Sequence, residues 1–477
     1  MPAITGQQYI NRIDNRQTEI WHNGKKITSK ISEHPALKGA IHSQAKLYDL
    51  QHKKELLDVM TYPLPSTGER VGTSFLQPTT IDELIKRSNM VQQWAKVSGG
   101  MLGRSPDYMN TVLMTFAASA EILEGKDNCY PSHLVNFYEK AREEDLSFTH
   151  TFINPQVNRS QLYFEDSDEP IAAKVVGEND DGIIVKGARL LATQGGMTDE
   201  VIVFSPGGIT DKAYAFAFAI PSDTKGLKFL SRDSFVDGDS TFDYPLSSRF
   251  EELDSVVVFD NVLVPWERVF FYNNIEVANT FKSKSAFLPF TLHQVVSRQI
   301  IKAEFILGLA ESIVETINIS EYPHVQDKVA EIIAAVETMK ALLTKAETNA
   351  AIDEFGLMRP ELIPLQVATS SFPKLYPRLT EIVQLLGSSG MVSIPTEADF
   401  QSDIREDLEQ YLQSAALGAK DRVQLFRLAW DATMSSFGSR QTQYERFFLG
   451  SPERLRSELY KSYNKQPHVD FIREFLR

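Results

Sequence analysis

The segment Thr149-His150-Thr151-Phe152-Ile153-Asn154-Pro155-Gln156-Val157-Asn158-Arg159-Ser160 is where the chain changes its period. Before it, apolar residues recur at helical spacing. After it, they come in short β-branched or aromatic runs. Pro155 has no N–H to give a β ladder, so the segment reads as a junction loop between a helical and a β region. Junction loops held by rigid elements are common places for sites. This one gathers a His, an Arg and six hydroxyl or amide side chains around a short apolar pair.

Upstream, residues 136–145 read as a polar helix. Ser105-Pro106 opens another, with Met109, Val112, Leu113, Phe116, Ala117 and Ala120 as its stripe. Thr80-Ile81-Asp82-Glu83 has the pattern of a capping box, and Gly99-Gly100 stops the helix it starts. Asn23-Gly24, between Trp21 and Lys25-Lys26, reads as a hairpin turn. Downstream, residues 182–193, 200–205, 213–220 and 255–264 read as strands, with Tyr214, Phe216 and Phe218 alternating with Ala. Helical spacing returns in residues 295–317, 329–343, 375–386 and 423–434, and Gly387-Ser388-Ser389-Gly390 stops the third of these. Long helices with short connections imply an antiparallel bundle. The fold class is therefore α+β and multidomain: residues 1–148 mainly helical, 149–272 β, and 273–477 a helical bundle.

The chain has 477 residues, 42% of them hydrophobic, and a formal net charge of −14. That balance supports large cores, and the charge argues against nucleic acid as the main partner. Cys129 stands alone, so an internal disulfide or a cysteine-based metal cluster is excluded, as in a reducing compartment. Residues 1–12 lack the apolar core of a signal peptide, and no run is apolar enough for a bilayer. A cytoplasmic protein is expected. No Gly-x-Gly-x-x-Gly follows a strand and no Walker A loop occurs, which leaves out a Rossmann site and a P-loop.

His150 has no partner at metal-ligand spacing; the nearest candidates are His133 and Asp145, and no metal is expected. Taken alone, a single His is more often structural. The hydrogen-bonding groups around it favour function, since His exchanges protons with a phenol-like group near neutral pH. Arg104 lies just before a helix start, where a cation does not help the dipole. It either pairs with Asp107 or faces an anionic ligand. Tyr108, four residues on, shares its side. Residues 156–159 and 190–193 are, by themselves, ordinary turn and strand. Residues 444–452, rich in aromatics, read as a packing element or a subunit contact.

Asn154-Pro155-Gln156-Val157-Asn158-Arg159 resembles a segment of the flavin-dependent 4-hydroxyphenylacetate 3-monooxygenases, large oxygenase component. The likeness runs the full length. It includes Thr5-Gly6 to Asn23-Gly24, His34-Pro35-Ala36, Asp243-Tyr244-Pro245-Leu246-Ser247-Ser248-Arg249-Phe250, Asp260-Asn261-Val262-Leu263-Val264-Pro265-Trp266-Glu267, Trp430-Asp431-Ala432 and Phe437-Gly438-Ser439-Arg440. The resemblance implies an acyl-CoA-dehydrogenase-like fold, with N-terminal helices, a middle β-barrel and a C-terminal bundle, assembled as a homotetramer. It implies reduced FAD supplied by a separate NADH-dependent reductase, and O2 as co-substrate. A C4a-hydroperoxyflavin then hydroxylates a phenol ortho to its hydroxyl, converting 4-hydroxyphenylacetate or a related phenol to a catechol in aromatic catabolism.

Carried over by position, the substrate-binding and catalytic residues implied are Arg104, Tyr108 and His150. Hydrogen bonds from them stabilise charge on the phenol oxygen. The flavin contacts implied are His150; Gln156, Val157, Asn158 and Arg159; Leu190, Leu191, Ala192 and Thr193; and Leu449, Gly450, Ser451 and Pro452. Ser205 is the candidate for the substrate's far end, with Gly207-Gly208 implying a lid. The alternatives are a thioester-oxidising acyl-CoA dehydrogenase relative, a 4-hydroxybutyryl-CoA dehydratase relative and a non-enzymatic helical scaffold or flavin-binding protein. The first needs a carboxylate base and a CoA channel, the second an iron–sulfur cluster that one cysteine cannot ligate.

Overall fold

The computed structural model describes residues 3–156 and 170–477. Its N-terminal helices start and stop where the chain signals them. Thr80 caps the Ile81–Ser98 helix by accepting the Glu83 N–H at 3.2 Å, and Gly99, at φ +58°, ends it in a left-handed turn. The capping box is only half formed. The Glu83 carboxylate accepts from the Thr79 N–H (2.7 Å) and hydroxyl rather than from Thr80. Pro106 opens the Pro106–Ala118 helix, where its missing N–H costs nothing. Asn23 and Gly24, at φ 49° and 73°, make the hairpin that joins β1 (Ile20–His22) to β2 (Lys25–Lys26).

A small separate hairpin pairs β3 (Thr61–Pro63) with β4 (Arg70–Gly72). The next eight strands are β5 (Phe148–Thr151), β6 (Lys174–Asn179), β7 (Gly182–Thr193), β8 (Glu200–Val203), β9 (Phe216–Pro221), β10 (Leu227–Ser231), β11 (Asp254–Pro265) and β12 (Val269–Tyr272). With β1 and β2 they form a six-stranded sheet, β2-β1-β10-β11-β7-β6, and a four-stranded sheet, β12-β9-β8-β5. Ile183, Val185, Phe216, Phe218, Phe229 and Val257 fill the layer between them. The expected closed β-barrel is not what forms: among the described residues the strands lie in two open sheets.

The junction reading also needs correction. Thr149, His150 and Thr151 belong to β5, which runs parallel to β8 and pairs His150 with Ile202. The proline argument holds only near Pro155 itself; the Phe and Thr residues upstream suit a strand.

The bundle is built on the 30-residue helix Phe287–Thr316, flanked by Pro323–Thr348, Leu362–Gly387 and Ala419–Thr433. Ile300, Ile306 and Ile313 recur along its buried face. Each such side chain contributes about 1.5–3 kcal/mol by leaving water. A second apolar core lies where the first helices, the four-stranded sheet and the start of the bundle meet. It holds Tyr108, Phe116, Phe148, Phe204, Phe281 and Phe290, and the candidate site opens from it. No helix of the described residues is long and apolar enough to cross a membrane.

Candidate active site

Residues two apart on a strand share a face, so His150 and Phe152 both point off β5 toward the helices. Phe204, just past β8, completes a stack of three parallel rings. His150 lies 5.7 Å from Phe152 and 5.9 Å from Phe204, centroid to centroid, each at 8°. Tyr108, from the Pro106–Ala118 helix, meets the His150 ring at 5.8 Å. Arg104 lays its guanidinium over Tyr108, 4.2 Å from the ring centre. The three residues are thus brought together.

Each retains unused hydrogen-bonding capacity. The buried Nε of Arg104 has no partner. Among the described residues, neither the Tyr108 hydroxyl nor a ring nitrogen of His150 is hydrogen-bonded. His150 is 4% exposed. Its burial first, then Arg104 and Lys282, push its pKa well below the usual imidazole range, so it is neutral at physiological pH.

Arg104 does not pair with Asp107. Asp107 is buried, which raises its pKa, and its Oδ2 accepts from Gln294 at 2.7 Å. Arg104 is held from behind instead. It donates to the Tyr444 hydroxyl at 2.5 Å, and the Tyr444 hydroxyl donates to Gly103 O at 3.1 Å. The Phe448 ring lies 5.3 Å from the guanidinium. The Gly103 and Arg104 N–H groups both donate at 2.8 Å to Glu252, a fully buried carboxylate that also accepts from Gln194 at 2.9 Å. Tyr444 was legible as part of an aromatic segment, and here it packs within the chain. Glu252 had no signal beyond lying two residues past the quoted 243–250 motif.

The end of β7 is sewn to β5. Leu190 N–H donates to Ile153 O at 2.8 Å, Thr151 Oγ1 to Leu190 O at 2.9 Å, and Thr149 Oγ1 to Thr193 O at 2.7 Å. A bulge opposite Ser255–Val257 leaves Leu191 at φ +62° and 55% exposed, a costly conformation for a large side chain. Gln156 is exposed beyond β5, while Val157, Asn158 and Arg159 lie outside the described residues. Leu449 and Gly450, the latter at φ +104°, follow Phe448, and Ser451 caps the Pro452–Ser462 helix. That loop therefore adjoins the Arg104 platform.

A narrow apolar pocket lies beside the ring stack, lined by Phe116, Leu134, Phe204, Ser205, Phe281 and Lys282 among others. The Ser205 hydroxyl donates to Phe216 O at 3.1 Å and accepts from the Phe216 N–H at 3.2 Å, so it is engaged with backbone. Gly207 and Gly208 are at positive φ. Next to them, Ile209 exchanges two hydrogen bonds with Asn279, at 2.7 and 2.8 Å, which fastens the loop to the Ile275–Lys284 helix. Sequence reasoning missed Lys282, because one lysine beside Phe281 looks like any half-exposed helix position.

Residues 5–271 match the family model "4-hydroxyphenylacetate 3-hydroxylase N terminal", and residues 278–477 match "4-hydroxyphenylacetate 3-hydroxylase C terminal". The chain is 58% identical over 477 residues to a probable 4-hydroxyphenylacetate 3-monooxygenase of Bacillus subtilis, covering 100% of this chain and 99% of that one. It is similar to the crystal structure of the oxygenase component of 4-hydroxyphenylacetate 3-monooxygenase complexed with FAD and 4-hydroxyphenylacetate. The TM-score is 0.94 at 43% identity, covering 99% of this chain and 98% of that one. A 4-hydroxybutyryl-CoA dehydratase from N. maritimus shares the fold alone, at TM-score 0.89 and 18% identity, covering 99% of this chain and 95% of that one.

Proposed function

The chain belongs to the 4-hydroxyphenylacetate 3-hydroxylase family, and from that premise we propose that it is the oxygenase of a two-component, reduced-flavin-dependent aromatic hydroxylase. Its reaction inserts one oxygen of O2 ortho to a phenol hydroxyl, turning 4-hydroxyphenylacetate or a close relative into a catechol. The observation that carries this reading is the convergence of Arg104, Tyr108 and His150 on one another, each with unused hydrogen-bonding capacity, beside the rings of Phe152 and Phe204.

The described residues fit a planar cofactor and a phenol: an orphaned buried guanidinium nitrogen, a neutral imidazole on a flat ring stack, and Leu191 held outward by a bulge. When bound, reduced FAD supplies the electrons that activate O2. His150, Gln156 to Arg159, Leu190 to Thr193 and Leu449 to Pro452 are the residues proposed to hold it. Arg104 donates to the phenol oxygen and favours its phenolate-like form, which makes the ortho carbon a better nucleophile. Tyr108 and neutral His150 fix that oxygen's position and orient the ring. The apolar walls exclude water.

The reading extends to a separate NADH-dependent flavin reductase as partner, a homotetramer as assembly and the cytoplasm as location. The test mixes the protein with photoreduced FAD, oxygenated buffer and 4-hydroxyphenylacetate, then analyses products. A catechol in near-stoichiometric yield is expected. Hydrogen peroxide alone, from every phenol tried, overturns the reading.

A further inference from the structure

The Arg104 loop belongs to the helical region and Gln194 to the β region, and one fully buried carboxylate holds both. Glu252 Oε2 accepts from the Gly103 N–H at 2.8 Å. Its Oε1 accepts from the Arg104 N–H at 2.8 Å and from the Gln194 side-chain amide at 2.9 Å. Two successive N–H groups on one carboxylate fix the backbone from which the Arg104 side chain leaves. They lie just before the Pro106–Ala118 helix, where a negative charge is favourable. Gln194 directly follows β7 at φ +61°, a conformation that persists where its surroundings impose it. The residues after Glu252 impose it too. Leu253 O accepts from the Gln194 N–H at 2.8 Å, and Asp254 accepts from the Thr193 hydroxyl at 2.7 Å.

A carboxylate at this depth is costly unless its lone pairs are used. Among the described residues its one ion pair is with Arg440 Nη1, at 3.6 Å, and that nitrogen makes no hydrogen bond. The close contacts of Glu252 are therefore the N–H groups of two arms. One arm carries Arg104, which meets the phenol oxygen. The other continues from Leu190 to Thr193, proposed to hold the flavin. Hydroxylation needs phenol and flavin at one fixed separation, and a shift of about 1 Å costs up to about 10²-fold in rate. Resting on the phenol-hydroxylase reading, we propose that Glu252 is a positioning residue that sets the substrate arginine and the flavin-holding strand end in register with each other.

The test compares the unaltered protein with Glu252→Gln and Gln194→Asn. In Glu252→Gln an amide N–H faces an N–H that the carboxylate accepted, so an arm is released. Asn suits the left-handed conformation at 194, but its amide is too short to reach Glu252. Two quantities are read: catechol formed per reduced FAD oxidised, and the anaerobic Kd of 4-hydroxyphenylacetate with reduced FAD. Both variants lower the catechol yield per flavin by roughly tenfold, with the flavin's electrons recovered in hydrogen peroxide. Gln194→Asn leaves the Kd unchanged. Glu252→Gln weakens it about tenfold, yet by less than about twofold in an Arg104→Ala chain, because it acts through Arg104. A yield kept in Gln194→Asn overturns the proposal, and decides it alone if Glu252→Gln does not fold. Equal weakening by Glu252→Gln with and without Arg104 also overturns it, since that is a general loosening. Failure of the phenol reading looks different: the unaltered protein makes no catechol.

Discussion

Two buried regions of this molecule are rich in charge, and they treat it in opposite ways. Behind the site, every charge has a partner. Glu445 accepts from Arg298 at 2.7 Å, Lys302 at 2.9 Å and Gln299 at 3.1 Å. Asp254 accepts from Arg440 at 2.9 Å, Arg232 at 3.0 Å and Thr193 at 2.7 Å. At the site, Arg104 Nε and, among the described residues, the Lys282 ammonium are left open, with aromatic faces for company. A closed network holds chain segments together. Open charges in an apolar wall point to a ligand, and their placement describes it.

The comparison breaks first if the closed network is dispensable. Glu445→Gln strands Arg298 and Lys302 in the core, and a loss of about 3–5 kcal/mol is expected in denaturant unfolding. Arg104→Ala probes the other region. It is expected to lower catechol formation by about 10²–10³-fold while leaving the unfolding midpoint nearly unchanged, as for loss of one charge-stabilising donor. A large fall in stability instead would move Arg104 into the closed class.

Acid sharpens the contrast. Burial alone would raise both carboxylates, but Arg298 and Lys302 outweigh it for Glu445, and Arg440 and Arg232 for Asp254, so each is held at about 2. A carboxylate depressed in the folded state stabilises above its unfolded pKa, near 4, and loses that contribution as pH falls toward 2. Stability is therefore expected to be flat in this respect above pH 5. It should fall by roughly 2–3 kcal/mol per group between about pH 4 and 2, read by unfolding at stepped pH. His150, already neutral, adds no step near pH 6.5 to the rate profile. The smallest effect is Leu191→Gly, which relieves a left-handed leucine for about 0.5–1 kcal/mol of stability, measured as a rise in Tm.

Much of the fold was legible because local signals agree with the final structure. Gly182–Thr193 reads as a strand from its β-branched and apolar run and is one, and Asn23-Gly24 is the hairpin turn it looks like. The helix Leu362–Gly387 was read only from residue 375, because Pro373 and Pro377 interrupt its pattern. Packing carries the helix through both. Sheet closure was misjudged, since nothing in a strand's own residues says whether the last one returns to the first. For the site, Arg104, Tyr108 and His150 came from a motif likeness, and the structure lays the guanidinium over the Tyr108 ring and that ring against His150. Glu252 acts through neighbours far away in sequence, and no local pattern marks such a residue.

The single carboxylate of Glu252 receives the Arg104 loop and the Gln194 turn, and Arg440 approaches it at 3.6 Å from a later helix. Arg104 itself leans on Tyr444. During synthesis the loop emerges long before the residues that brace it. A growing chain thus carries the aromatic wall and the unbraced arginine before it can hold either in place. Completion of the site is tied to completion of the fold, so a partly made chain is poorly equipped to engage reduced flavin and release peroxide.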